Sequence, residues 1–381
     1  MVHYSAKGYA MITKNSVRGQ LYNYKVGSCM PGEVKWNARG IISEVNWFSD
    51  APEVRILPGF IDLHVHGASG DDVMSDHGTP LNTVSLALPQ FGTTGFLATT
   101  ITAPQAELLE VTSRVAEYCR QDSPGAKVLG MHLEGPYIDY EHRGAQPKQF
   151  IRPLNCRELR ELIALNVIKI ITLSPHTNED FDMVSWLLRH NVRVNLGHTD
   201  IDFEGALKAF DAGVDGVTHL FNGMTGIHHR HPGPVMAAIA DSRVWLELIL
   251  DGVHVHPEVV KMLMRLASER IVAITDGTAA VGMSPGTYTL GSLVVYVDEH
   301  SVRLENGGLA GSRLTQDQAL RNLLLWNVGL KNAVHALSEA PAQRLGLITQ
   351  GFIKEGFEAN FILMDEHWQV QQTWIRGMQV F

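Results

Sequence analysis

Cysteine is scarce in this chain of 381 residues: Cys29, Cys119 and Cys156 stand far apart and are odd in number. That excludes a disulfide framework and a zinc ribbon, and it fits the reduced thiols of a cytoplasmic protein. An excess of basic residues is also lacking. The formal net charge is -9 and the pI is near 6.0, and neither a basic patch nor a run of like charges is present, so no nucleic-acid partner is expected. Long apolar runs are missing as well. The opening MVHYSAKGYAMITKN has no apolar signal core and no stretch is long enough to span a bilayer, so the expectation is a soluble cytoplasmic protein with no membrane partner. Internal repeats and low-complexity segments do not stand out.

What is abundant is histidine, eighteen residues in all. Two of them end the stretch LPGFIDLHVHGASG (57–70), which reads as a buried strand opening into a glycine-rich turn. Side chains alternate along a strand with period two, so His64 and His66 share one face about 7 Å apart along the backbone and can grip one ion. Such a pair alone carries little weight, and its meaning depends on what converges on it.

Before residue 57, short alternating stretches are broken by Gly, Pro and Asn, the texture of small antiparallel strands. Beyond it, short apolar strands alternate with segments of helical periodicity. Eight strands are predicted, at 56–66, 93–100, 127–136, 168–175, 192–199, 215–222, 245–255 and 270–277. Helices are predicted at 105–120, 156–166, 179–190, 203–212 and 256–268, followed by a hairpin over 287–308 and helical segments at 315–328 and 332–344. This rhythm is that of a (β/α)8 barrel over 58–352, with chemistry at the C-terminal ends of the strands. An open doubly wound sheet would call for a GxGxxG turn after its first strand, and Gly67-Ala68-Ser69-Gly70 lacks that spacing. The two ends of the chain are alike in texture, so 1–57 and 353–381 are expected to pair into one small β domain.

Polar residues recur at the predicted strand ends: His64 and His66, Glu134 in HLEGP, His198 in LGHT, His219 in THLFN and Asp276 in ITDG. Each alone could simply cap a loop, but six at the ends of one barrel form an imidazole and carboxylate set suited to zinc, or to Fe2+, Mn2+ or Co2+, as one or two ions. Glu134 has two oxygens and can bridge an ion held by His64 and His66 to one held by His198 and His219. His132 shares its face and is expected to stand behind the ligands. Asp276, after an apolar strand, is placed to take a proton from a water and pass it to a leaving group, which is metal-dependent hydrolysis. In the loop NGMTGIHHRHPG (222–233), Arg230 is the candidate for gripping an anion through a two-point guanidinium contact. His254 in DGVHVHP reads as a substrate contact on a seventh strand, and His256 as the start of the next helix.

The motifs PGFIDLHVHG, HLEGPY, GHT, THLFNGM, DGVHV, TDG and LAGSRLT, in this order and across nearly the whole chain, resemble the amidohydrolase superfamily and within it the N-acetylglucosamine-6-phosphate deacetylases. The resemblance implies a metal-dependent deacetylase barrel with a small β domain from both termini, and a homodimer. It implies Glu134, His198 and His219 around the main metal and Asp276 as acid and base. Arg230 and His254 match substrate contacts, the Arg reaching phosphate across the dimer interface, and the backbone at Asn222 and Gly223 matches a further phosphate contact. Strand four ends in LSPHT without the bridging lysine of many amidohydrolases, which leaves that role to Glu134. Three positions depart from the family pattern. Gln146 stands in Gly144-Ala145-Gln146 where a sugar-contacting His is usual, Arg313 stands where a small residue is commoner, and Gly223 where Ala is common. The expected substrate is an N-acetyl amino-sugar 6-phosphate, either the glucosamine or the galactosamine epimer. Another N-acyl or cyclic amide, and a catalytically silent binding protein, are the rival readings.

Overall fold

The computed structural model describes residues 11–381; the part of the small β domain expected over residues 1–10 lies outside them. Eight parallel strands form one sheet in strict chain order, here β1 (Phe60–Val65), β2 (Thr93–Thr100), β3 (Lys127–Glu134), β4 (Ile168–Leu173), β5 (Arg193–Leu196), β6 (Gly216–Val217), β7 (Trp245–Ile249) and β8 (Ile271–Ile274). Just past β8 the chain returns to β1. Asp276 N–H donates to His64 O at 3.0 Å, His66 N–H donates to Gly277 O at 2.8 Å, and Val65 bridges Gly277 in parallel. The sheet is a nearly closed barrel of the expected class. Strands wrapped by helices are apolar on both faces, and every residue of β1, β2 and β8 is buried.

Each strand is followed by a helix, and the local sequence sets where those helices begin. Thr177 and Asp180 form a reciprocal capping box on Asn178–Arg189. Asp202 accepts from Gly205 N–H at the start of Phe203–Ala212. His256 caps Pro257–Ala267, with proline at the first turn where its missing N–H costs nothing. Pro80–Ala87 and Gly233–Ala240, two turns each, were not singled out by periodicity because so few residues show little of it.

Most predicted strands run past the observed ones, the sixth and seventh furthest. The sixth is a strand only at Gly216–Val217, and the seventh stops at Ile249, so DGVHV is a loop. In that loop Asp251 Oδ1 accepts from the backbone N–H groups of Val253 and His254. An Asx-type turn of this kind competes with strand pairing, so His254 lies in a loop and not on the seventh strand expected to carry it. The 287–308 region forms antiparallel strands Gly286–Leu290, Leu293–Val297 and Val302–Arg303, set between β8 and the helix Gln316–Leu325.

A second sheet collects both ends of the chain. Val370–Ile375 and Phe361–Met364 join Arg55–Pro58, which lies parallel to Ser16–Asn23, followed by Ser28–Trp36 and Ile42–Trp47. It has its own core, in which Trp36, Phe361 and Trp374 meet with ring centroids 5.4 to 5.7 Å apart. Gly377 is required there: its φ is +72° and a Cβ would stand 2.2 Å from the Trp36 ring.

Candidate active site

The strand-end residues do converge. Glu134 closes β3, His64 lies in β1 and His66 just beyond it, and His198, His219 and Asp276 each stand two residues past their strands. The last three turn back into the barrel mouth with φ of +50°, +32° and +52°. Non-glycine residues seldom adopt this region, and the cost is borne here where three side chains must face one point.

Two triads share one carboxylate: His64, His66 and Glu134 on one side, and Glu134, His198 and His219 on the other, each with its ligand atoms within 4.8 Å of one another. Glu134 Oε1 lies 3.1 Å from both His198 Nε2 and His219 Nε2, which are 3.2 Å apart. His64 Nε2 and His66 Nε2 are 3.1 Å apart, and Asp276 Oδ1 stands 3.3 and 3.0 Å from them.

The outward nitrogens show that this cluster suits a cation. His66 Nδ1 faces Thr99 O at 3.1 Å, His198 Nδ1 faces His142 O at 2.9 Å, and His219 Nδ1 faces Asn222 O at 3.1 Å. A carbonyl can only accept, so each Nδ1 carries the hydrogen and each Nε2 turns a lone pair inward. Such an imidazole approaches a carboxylate only by taking a second proton or by sharing a cation with it. Several adjacent imidazolium ions would repel, so a divalent ion held among these donors would resolve the arrangement.

The electrostatics agree. Burial opposes charge on Glu134, yet His64 and the bonds from His198 and His219 hold its carboxyl well below the usual range. Burial likewise opposes the Asp276 carboxylate, and His64 and His66 outweigh it. His64 is disfavoured as a cation by burial, but Glu134 and Asp276 pull its pKa up to about 9. His132 is pushed well down by burial and by His64, and both its nitrogens are occupied, at 3.1 Å from Leu63 O and 2.7 Å from Thr172 Oγ1. It is a neutral packing residue behind His64 and Glu134.

A cavity opens over the cluster, walled by Glu134, Gln146, His219, Gly223, His254 and Asp276 among others. Ile101, Leu290 and Leu309 give it an apolar side. His254 is fixed by a 2.6 Å contact between its Nδ1 and Asp251 Oδ2, which leaves Nε2 as its free nitrogen. Asn222 turns its amide back on His219 O and Leu220 O. At Gly223, with φ +59°, a Cβ would stand 2.8 Å from His198 Nδ1, so the alanine that the resemblance would place here would press on His198. Arg230 is the predicted site residue that the structure leaves apart. It is exposed on the turn after Gly226 and does not line the cavity.

Sequence reading missed the residues beneath the site. Asp62 Oδ1 accepts from His64 N–H and Thr275 N–H, and its Oδ2 accepts from Thr275 Oγ1 at 2.7 Å, which ties β1 to the end of β8. Glu247, wholly buried in β7, accepts from Asn195 Nδ2 at 2.8 Å, and Asn195 Oδ1 accepts from the buried Arg344. Burial lifts Asp62 to about 6 and Glu247 to about 7. Each is a lone carboxylate inside an apolar strand, FIDLHV and WLELI, and that was the available signal.

Residues 55–380 match the model of the amidohydrolase family. The N-acetylgalactosamine-6-phosphate deacetylase of Escherichia coli O157:H7 is 42% identical over 326 residues, 84% of this chain and 86% of that protein. The N-acetylglucosamine-6-phosphate deacetylase of Vibrio furnissii is 38% identical over 332 residues, 86% of this chain and 83% of that protein. The crystal structure of the N-acetylglucosamine-6-phosphate deacetylase of Thermotoga maritima superposes with a TM-score of 0.88 at 33% identity, covering 95% of this chain and 98% of that one. With most of its length so matched, this chain belongs to the amidohydrolase family, in the branch of the N-acetyl amino-sugar 6-phosphate deacetylases.

Proposed function

We propose that the protein hydrolyses the acetamide of an N-acetyl amino-sugar 6-phosphate, N-acetylglucosamine 6-phosphate first, to acetate and the free amino-sugar phosphate. The observation that carries this is the pair of His/Glu triads with Asp276 Oδ1 3.0 Å from His66 Nε2. His64, His66, Glu134, His198 and His219 would hold one or two divalent ions, zinc by the preference of imidazole and carboxylate donors. A bound ion supplies Lewis acidity, polarising the amide carbonyl and acidifying water. Asp276, ionised and buried, accepts the proton of the attacking water. It then donates that proton to the amide nitrogen as the C–N bond breaks, and is restored as a carboxylate. His254, its Nδ1 engaged by Asp251, offers Nε2 to a sugar hydroxyl, and Ile101, Leu290 and Leu309 keep bulk water from that side of the cavity.

Asn222 N–H already donates to His219 O, so the adjoining Gly223 amide is the backbone group assigned to phosphate. Arg230 joins the phosphate from a homodimer partner, since its place outside its own cavity suits a contact in trans. The barrel over 58–352 carries the reaction, and 1–57 with 353–381 forms the domain beside it. The compartment is the cytoplasm; among the described residues no helix is long and apolar enough to cross a membrane.

The galactosamine epimer is the second reading, favoured by the relative at 42% identity. Acetate release by zinc-loaded protein from both phosphorylated epimers and from unphosphorylated N-acetylglucosamine decides between them. The expected result is strong preference for one phosphorylated epimer, and release from none of the three would overturn the assignment.

A further inference from the structure

Gln146 replaces the histidine that the resemblance would give to the sugar, and its surroundings assign it different work. The residue is 6% exposed. Its Oε1 accepts from Thr102 N–H at 2.6 Å, and its Nε2 donates to Glu134 Oε2 at 2.7 Å. The amide orientation follows from chemistry: a backbone N–H can only donate, so the oxygen must face Thr102 and the NH2 must face the carboxylate. Gln146 N–H itself donates to Arg143 O at 3.0 Å, which holds the residue in its loop. One side chain thus spans from the loop after β2 to the last residue of β3.

The consequence falls on Glu134. Its Oε1 is shared by His198 and His219, whereas its Oε2 receives Gln146 and stands farther off, 3.5 Å, from His66 Nε2. The two oxygens are therefore unequal. A carboxylate held at one end by a rigid donor keeps its plane, and a lone pair of Oε2 spent on Gln146 is withdrawn from His66, while His64 Nε2 stands 3.6 Å from Oε1, farther than His198 and His219.

We propose that Gln146 is a positioning residue for Glu134: it clamps the carboxylate to Thr102 so that the ion position of Glu134 Oε1, His198 and His219 binds more tightly than that of His64 and His66. The inference rests on the cluster being an ion site, as proposed above, and not on which sugar is the substrate.

The test is a zinc titration of metal-free protein against a chromophoric chelator, with parent, Gln146→Leu and Gln146→Asn. Leucine removes both hydrogen bonds; asparagine stays polar but is one methylene too short to reach both partners, so it serves if the leucine variant does not fold. Circular dichroism and melting temperature check folding in each. Loss of an outer partner of a ligand weakens metal binding by about 10- to 100-fold, and that loss is expected for the first zinc in both variants. The second zinc should change by less than threefold. At saturating zinc, KM for the phosphorylated sugar should stay within about twofold of the parent. Unchanged zinc affinity with a raised KM would overturn the proposal and return Gln146 to the sugar. Unchanged zinc affinity with an unchanged KM would overturn it too. If no substrate is turned over, the reaction assignment fails while the zinc titration still decides the role of Gln146.

Discussion

The strand-end cluster and the loop after β6 both carry histidines, and they are built in opposite ways. In the cluster, His64, His66, Glu134, His198 and His219 are buried, and the outward nitrogens of His66, His198 and His219 each meet a backbone carbonyl. In the loop, His228, His229, Arg230 and His231 are exposed, held by a backbone pairing of His228 with His231 and by Arg230 N–H donating to His228 Nδ1. The same residue type is buried and held where a backbone carbonyl takes its outward nitrogen, and stands in solvent on the loop. On the proposed function, reaction geometry belongs on the first and recognition on the second.

Substitutions that keep shape and remove one chemical property test that division. Asp276→Asn should lower kcat by about 10³-fold or more, the range of a lost acid and base, while zinc affinity changes by less than tenfold. Activity within tenfold of the parent would remove Asp276 from the reaction. His219→Ala should weaken zinc binding by at least about 100-fold, above the range for outer partners, as read by chelator competition. An unchanged first zinc would show that the Glu134, His198 and His219 triad is not the main site.

The loop should respond differently. On the proposed phosphate contact, worth about 1.5–3 kcal/mol as a charge-assisted bond, Arg230→Ala should raise KM for the phosphorylated sugar about 10- to 100-fold with a much smaller change in kcat. Zinc affinity and melting temperature should not move. Equal impairment on unphosphorylated sugar would mean that Arg230 does not read the phosphate, and a loss of zinc would break the comparison itself.

How much was legible in sequence follows the same line. The barrel was legible because buried parallel strands are short apolar runs, and the side chains that converge at its mouth because a polar residue at the end of such a run is conspicuous, as in ITDG and HLEGP. Period two works only while the backbone stays extended. It served His64 and His66, and the seventh strand expected to carry His254 stops short of it, where Asp251 folds the chain into a turn. Gln146 was read through resemblance as a sugar contact, and nothing local announces that its amide reaches Thr102, 44 residues away. Leu290 and Leu309 were equally hidden, because only the docking of the segment after β8 brings them to the cavity, Leu290 at the end of Gly286–Leu290 and Leu309 opposite Arg303.

The smallest effect is expected at the rim, where Asp139 joins the loops after β3, β4 and β5. It accepts from His176 Nε2 at 2.9 Å, Ser174 Oγ at 2.7 Å and Asp200 N–H at 2.9 Å, while its own N–H donates to His198 O at 2.8 Å. Burial raises the Asp139 pKa, but these bonds outweigh it and bring it to about 2, and the bond to Asp139 raises His176. The depressed Asp contributes stability above its unfolded pKa of about 4, lost as pH falls through 2. The raised His contributes fully below about 6.5 and is lost as pH rises through its folded value. Both therefore act between about pH 4 and 6.5. His176 is 41% exposed, so solvent screening limits the pair to about 1 kcal/mol or less, roughly 1–3 °C in melting temperature. Asp139→Asn should melt below the parent at pH 5, and the gap should narrow steadily toward pH 9. A gap of constant size over that range would show that the rim acts through the shape of its hydrogen bonds alone. The exposed side chain would then belong, by its chemistry, with the buried cluster rather than with the loop.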